Sequence, residues 1–197
     1  MKNSLASLFI LCLFTSNVFA QTKNIRPKAI GVSFLLNDFA TAQRIRNGSL
    51  DNVLREKKWA KFSEMSPGLA VTYFKGLTKF IDFAGTLAAS YVNYPIPNKP
   101  AFGSESLLLE GDASINLKML DENYWVTPYL IAGIGASKFK GYYGAFIPLG
   151  LGIKLNIFDE ASFFVASQYR VPVTTSTANY HFMYSIGVSG VIGKEQK

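Results

Sequence analysis

Residues 107–119, within a segment from 105 to 119, read LLLEGDASINLKM, and this stretch decides the fold class of the chain. One alternate column, from Leu107 to Met119, is apolar or Gly, while the other holds five consecutive polar residues from Glu110 to Lys118. Successive side chains of a β-strand point to opposite faces, so the stretch predicts a strand with one apolar and one polar face. The apolar face must lie against a protein core or against lipid.

The same alternation recurs in seven other segments, which predicts an all-β chain of eight strands. These segments are 29–39, 67–75, 80–92, 125–137, 145–157, 162–171 and 180–193. Three connections between them are short, at 75–79, 120–124 and 158–161, and the others are longer, at 40–66, 93–104, 138–144 and 172–179. Short turns on one side and long loops on the other are typical of an up-and-down outer-membrane barrel.

The composition favours lipid over a soluble core. The chain has 197 residues, of which 49% are hydrophobic and only 17% are charged, whereas soluble domains carry about 25% charged residues. After residue 20 no apolar run is long enough for a membrane-spanning helix. A closed barrel is the other structure that satisfies every backbone group in a bilayer. The alternative is a secreted, lipocalin-type barrel with its apolar column inside, but the second column holds too many small residues for a charged exterior.

Residues 1–20 have the features of a secretory signal peptide, with Lys2 before an apolar core and small residues at its end. We expect cleavage after Ala20, so that the barrel domain is 21–197 and begins at Gln21. The only cysteine, Cys12, lies in the apolar core and lacks the small residues that precede a lipoprotein cysteine. The mature chain is therefore expected to have no disulfide and no lipid anchor.

The net charge of +7 is scattered, and no nucleic-acid motif accompanies it. The expected partners are membrane lipid and the outer-membrane assembly machinery. Segment 41–66 carries six basic and three acidic residues, and it is either a lipopolysaccharide contact or a solvated loop. Within it, Ser49 is a candidate N-cap for a short helix.

Charged residues on the inward column predict a polar network inside the barrel. Its expected members are Asp82, Glu110, Asp112, Asn116, Lys118, Tyr129, Lys154, Gln168 and Arg170. Charges in so narrow an interior must pair or hold water. Glu110 and Asp112 lie about 7 Å apart on one face and need basic partners, for which Arg170 and Lys154 are the candidates. The network is either a plug that stabilises the barrel or a gate in a narrow path.

The sequence offers little for catalysis. The only histidine is His181, and Met183 stands where a strand-borne His-x-Ser pair would need its serine. No metal-ligand spacing and no phosphate-binding loop is present, so we expect no metal, no cofactor and no enzymatic activity. A lipid-modifying barrel enzyme and an adhesion or ligand-binding barrel acting through its loops remain the alternatives to a structural or narrow-pore protein.

Aromatic residues cluster near the predicted strand ends and are expected to form two interfacial girdles. On the long-loop side these are Phe39, Tyr91, Tyr94, Tyr142, Tyr143, Phe146, Tyr169 and Tyr180. On the short-turn side they are Phe74, Phe80, Tyr124, Trp125 and Phe158. With an even number of strands, both termini lie on the short-turn side.

Three stretches resemble the OmpA-type N-terminal outer-membrane barrel: TPYLIAGIG at 127–135, FIPLGLGIKL at 146–155 and SQYRV at 167–171. The resemblance implies an eight-stranded, antiparallel, up-and-down transmembrane β-barrel in the outer membrane of a Gram-negative bacterium. It also implies a monomer with periplasmic termini and extracellular long loops. Many members continue into a peptidoglycan-binding domain, whereas this chain ends at Lys197, so cell-wall tethering is not expected here.

Overall fold

The computed structural model describes residues 25–97, 105–158 and 160–193 and shows a closed barrel of eight antiparallel strands. The strands are β1 (Ala29–Asp38), β2 (Ser66–Gly76), β3 (Ile81–Val92), β4 (Ser106–Lys118), β5 (Val126–Phe139), β6 (Tyr142–Phe158), β7 (Ala161–Pro172) and β8 (His181–Val191). Each pairs with its neighbour in sequence, and β1 closes the cylinder against β8. The predicted fold class is confirmed. The signal peptide and its cleavage site at Ala20 and Gln21 lie outside the described residues.

Small residues on the inward face leave room for the backbone of the neighbouring strand. A Cβ added to Gly187 would lie 2.5 Å from the Val32 carbonyl oxygen, and one added to Gly68 would lie 2.5 Å from the Ala89 carbonyl oxygen. Such contacts are far inside van der Waals distance, so glycine is required at both positions. The small-residue column therefore belongs to the crowded interior, as expected for a barrel of only eight strands.

The two ends of the barrel differ. The β2–β3, β4–β5 and β6–β7 connections lie at one end, here called the turn end, and the other four lie at the loop end. The predicted long loop at 138–144 is wrong, because β5 and β6 remain paired up to Phe139 and Tyr142. Only Lys140 and Gly141 separate these strands, and Lys140 has a φ of 52°, the left-handed backbone that a tight turn requires.

Two helices and a 3-10 turn occupy the connection between β1 and β2. The short helix predicted after Ser49 is confirmed as α2 (Leu50–Arg55), and the Ser49 hydroxyl accepts a hydrogen bond of 3.1 Å from the Asn52 backbone. The preceding α1 (Phe39–Asn47), which the sequence did not predict, is capped by Asp38. Among the described residues, no helix has the length and apolar character needed to cross a membrane.

The aromatic girdles are only partly as expected. Tyr91, Tyr143, Phe80, Tyr124 and Trp125 are exposed near the strand ends. In contrast, Phe74 and Phe146 are buried inside the barrel. Tyr94 is also buried, in an apolar cluster against which Phe39 packs. For Phe74 and Phe146 the reason is strand parity, since both stand on the inward column and proximity to a strand end does not change the face.

Candidate functional site

All nine residues expected in the interior are buried. Their side chains belong to β3, β4, β5, β6 and β7: Asp82, Glu110, Asp112, Asn116, Lys118, Tyr129, Lys154, Gln168 and Arg170. Each is at most 8% exposed, and Arg170 is fully buried. The period-two alternation of the strands is enough to put them there. Their contacts, however, divide them into two charged clusters and an uncharged layer between the clusters.

The loop-end cluster consists of Glu110, Asp112, Arg170 and His181. One guanidinium nitrogen of Arg170 lies 2.6 Å from Glu110 Oε2, and another donates to Asp112 Oδ2 at 3.1 Å. His181 Nε2 lies 3.4 Å from the other oxygen of Glu110. The guanidinium also stacks 4.6 Å from the centre of the Phe146 ring. A single arginine therefore compensates two buried carboxylates.

An aromatic lid covers this cluster. Phe39, the first residue of α1, stacks on the His181 ring with a centroid distance of 4.5 Å. Tyr94 meets Phe39 edge to face at 5.1 Å, and its hydroxyl accepts a hydrogen bond of 2.7 Å from the Asn179 backbone. Burial raises the pKa of Tyr94, so this hydroxyl stays neutral. The lid separates the loop-end cluster from solvent.

The turn-end cluster consists of Arg26, Asp82, Lys118, Glu122 and Lys154. Lys118 Nζ lies 2.7 Å from Asp82 Oδ1 and 2.7 Å from Glu122 Oε1, and Lys154 forms an ion pair with the other oxygen of Glu122. Arg26 lies 3.6 Å from Asp82 and stacks 4.0 Å from the centre of the Phe74 ring. Three cations thus share two carboxylates.

Glu122 enters this cluster from the β4–β5 connection. Burial opposes its ionisation, but the charges of Lys154 and Lys118 outweigh burial and lower the pKa of Glu122. In the same connection, a hydrogen bond from Lys79 lowers the pKa of Asp121, whose carboxylate lies 2.9 Å from Lys79 Nζ. Both carboxylates therefore carry full negative charge at neutral pH.

Asn116, Tyr129 and Gln168 lie between the two clusters and do not link them. Their side chains form no hydrogen bond with the described part of the chain, contrary to the expectation that they belong to an interior polar network. The reason is that apolar side chains such as those of Phe164 and Met183 share this layer. The remaining space is a cavity of about 30 Å³, which has room for on the order of one or two water molecules.

Three cluster members were absent from the predicted network. Arg26 precedes β1 and Glu122 belongs to a turn, so no strand pattern points to them. His181, in contrast, stands on the same column as Met183 and Ser185, and the alternation of β8 could have placed it inside. Lys154 is a predicted partner for Glu110 and Asp112, but it pairs with Glu122, and Arg170 is the cation that contacts both of those carboxylates.

The interior chemistry is that of ion pairing. Across residues 25–97, 105–158 and 160–193, no three His, Cys, Asp or Glu side chains are arranged to hold a metal ion. His181 faces Glu110, and its other ring nitrogen lies 3.2 Å from the Asn179 carbonyl oxygen. No hydroxyl nucleophile is among these contacts of the His181 ring.

The outer wall carries the large apolar side chains. Leu87, Ile134, Leu69 and Val188 are between 60 and 73% exposed, and Leu87 stands on the same strand as the buried Asp82. Every strand of the barrel contributes such a side chain to the exterior. The polarity of the chain is therefore reversed relative to a soluble barrel, with charges inside and apolar groups outside.

Three solved structures resemble this barrel. Neisserial surface protein A has a TM-score of 0.52 and 13% identity, covering 86% of this chain and 100% of that chain. The N-terminal β-barrel domain of Pseudomonas aeruginosa OprF has a TM-score of 0.50 and 12% identity, covering 84% and 98%. Ail, the attachment invasion locus protein of Yersinia pestis, has a TM-score of 0.50 and 10% identity, covering 84% and 99%.

No protein-family model and no curated protein sequence matches this chain. The identities to the three solved structures are all low, so these similarities show a shared fold. That fold is the closed eight-stranded antiparallel barrel of known outer-membrane proteins.

Proposed function

We propose that this chain is an integral outer-membrane protein of a Gram-negative bacterium, with a structural role in the envelope. The observation that carries the proposal is the reversed polarity of the wall. Leu87 and Ile134 are 73% and 72% exposed, while Arg170 is fully buried. In water the exposed side chains would form a large apolar surface, whereas in a bilayer they face hydrocarbon. The shared fold with known outer-membrane barrels supports the same conclusion.

Within that role, a sealed lumen is favoured over a narrow pore. The loop-end cluster lies under the aromatic lid, and the turn-end cluster fills the opposite end of the lumen. The buried ion pairs would then act as a plug that sets the shape of the barrel. A non-enzymatic protein is also favoured, because the only histidine is occupied by Glu110 and Phe39.

The proposed orientation has the loop end outside the cell and both termini in the periplasm, and the protein would be a monomer delivered by the outer-membrane assembly machinery. Segment 41–66 would then face the lipopolysaccharide layer. Three of its six basic side chains already pair with carboxylates, in Arg44–Glu64, Arg55–Asp51 and Lys58–Glu56. These pairs favour a folded, solvated segment over a dedicated lipopolysaccharide contact.

Membrane fractionation tests the location. The protein expressed with its leader should sediment with outer membranes and migrate faster on gels before boiling than after, as a closed barrel does. Recovery in the soluble periplasmic extract would refute the membrane assignment and favour the lipocalin-type alternative. A lipid A profile that is unchanged by deletion of the protein would agree with a non-enzymatic role, and an altered acylation pattern would contradict it.

Conductance measurements distinguish the plug from the pore. A closed lumen predicts that wild-type protein in planar bilayers shows no stable channel events. Regular events that disappear in boiled samples would show a pore and would contradict the structural role.

A further inference from the structure

Gly85 on β3 and Gly111 on the neighbouring β4 face outward and have no packing reason to be glycine. A Cβ added to Gly85 would come no closer than 3.5 Å to a neighbouring atom, and one added to Gly111 would come no closer than 3.3 Å to the Leu87 side chain. Neither has a positive φ. They differ in this from Gly68 and Gly187 inside the barrel, where a Cβ would collide with backbone. Glycine weakens a strand, so the two exterior positions call for another explanation.

These glycines lie in a groove on the outer wall. Strand register places Gly85 beside Ala113, Gly111 beside Ala136, and Ala136 beside Ala145, so five small residues form its floor. Its walls are larger apolar side chains from four strands or their ends: Leu87, Ile134, Ile147 and Val173. The groove has a volume of about 740 Å³, within the range of about 300–1,000 Å³ of small-molecule sites. It is called the wall groove below.

A cationic and aromatic rim stands at the loop-end side of the wall groove. Lys138 follows Ala136 by two residues, about 7 Å along the strand, and lies beside Tyr143 on β6. Its Nζ is 5.5 Å from the centre of the Tyr143 ring, and it forms no ion pair with the described residues. Lys140 occupies the adjoining turn, with its Nζ 5.7 Å from the centre of the Phe139 ring.

We propose that the wall groove is a specific site for lipid A, the phosphorylated and multiply acylated anchor of lipopolysaccharide. Acyl chains fill the groove, and a phosphate contacts Lys138 and Lys140. The inference rests on the proposed function, because it requires the loop end in the outer leaflet. The outward-facing side chains that line the groove are all apolar. They extend from β3 to β6, about 14 Å across, a width that suits several parallel acyl chains better than one.

Filling the groove tests its role. Gly111→Leu adds a side chain that the groove accommodates without backbone strain, and Gly190→Leu is the matched control. Gly190 faces outward on β8, where the nearest atom to an added Cβ is the Glu160 carbonyl oxygen at 3.9 Å. In detergent micelles, native mass spectrometry should show lipid A binding about tenfold weaker in Gly111→Leu and within about twofold of wild type in Gly190→Leu.

Removing the rim charges tests the headgroup contact. In the double variant Lys138→Gln, Lys140→Asn, asparagine is chosen at position 140 because it tolerates the left-handed backbone there. It should bind lipid A about tenfold more weakly and lose most of the salt dependence expected for wild type. Lys75→Gln, on the exposed face of β2 near the turn end, should leave binding unchanged.

Heat-modifiable migration establishes that each variant is folded before binding is measured. Equal binding of lipid A to Gly111→Leu and to wild type would overturn the proposal. Retention of phosphatidylcholine by wild type as strongly as lipid A would also overturn it, as would a wild-type dimer that Gly111→Leu abolishes. If wild type inserts into bilayers but does not retain lipid A, this inference fails and the proposed function stands. If wild type does not insert at all, both fail.

Discussion

The two charged clusters of the lumen compensate their buried carboxylates in different ways. At the loop end a single arginine, Arg170, faces Glu110 and Asp112 beneath an aromatic lid. At the turn end three cations share Asp82 and Glu122 beside a polar opening to solvent. In the loop-end cluster Arg170 is the one permanent cation for two carboxylates, and the other basic side chain of the cluster, His181, reaches Glu110 only. No second permanent cation contacts both acids when Arg170 is lost. The turn-end cluster has overlapping partners.

This difference between the clusters determines how much stability the loss of a cation is expected to cost. Removing one partner of a buried ion pair leaves an uncompensated charge, which costs more than the pair contributes when intact. At the loop end this leaves two carboxylates without the arginine that contacts both of them. At the turn end Lys118 touches both carboxylates, so the loss of either neighbouring cation leaves each acid with a partner.

The largest effect is expected for Arg170→Ala. The free energy of unfolding should fall by about 3–5 kcal/mol, because Glu110 and Asp112 stay buried without the arginine that contacts both of them. Urea unfolding in lipid bilayers, followed by tryptophan fluorescence, measures the change. Arg46→Ala is the control, since that guanidinium stacks on Tyr180 in an exposed position, and it should cost about 1 kcal/mol or less.

Neutralising the acids sharpens the same comparison. Adding Glu110→Gln and Asp112→Asn to Arg170→Ala should restore part of the lost stability, because the uncompensated charges are removed. A triple variant that is no more stable than Arg170→Ala would mean that packing of the arginine stem, rather than charge, accounts for the loss.

A smaller effect is expected for Lys154→Met. Lys118 still holds Glu122 at 2.7 Å, so the loss should be about 1–3 kcal/mol. The same unfolding assay applies, with Lys118→Met as the matched variant expected to cost more because Lys118 contacts both acids. A cost for Lys154→Met equal to that of Arg170→Ala would refute the idea of overlapping partners at the turn end.

The smallest effect is a pH dependence at Glu122. Its pKa is lowered from the ordinary value of 4.5 in the folded protein, so its stabilising contribution is present above that value. The contribution is lost as pH falls through the lower folded pKa. The urea midpoint should therefore drop less between pH 5 and pH 3 in Glu122→Gln than in wild type. Asp51→Asn, in an exposed pair with Arg55, should leave the slope unchanged.

Strand alternation is the feature of the sequence that predicts the fold best. It placed all eight strands, with boundaries within one or two residues for most ends, and all nine interior residues. It failed at the β5–β6 turn and at α1, where connection lengths depend on how far neighbouring strands remain paired. The inward column also predicted a single polar network rather than two clusters, because the face on which a residue stands says nothing about its height along the barrel axis.

The sequence by itself determined which side chains face inward, because a period of two leaves only two faces and the charges stand on one of them. Only the tertiary structure decided which charges meet. Strand register brings Arg170 of β7 to Asp112 of β4, and the folding back of a turn brings Glu122 to Lys154. Register and turn conformation set the height of each charge in the lumen, and ion pairing depends on that height at a scale of a few ångströms.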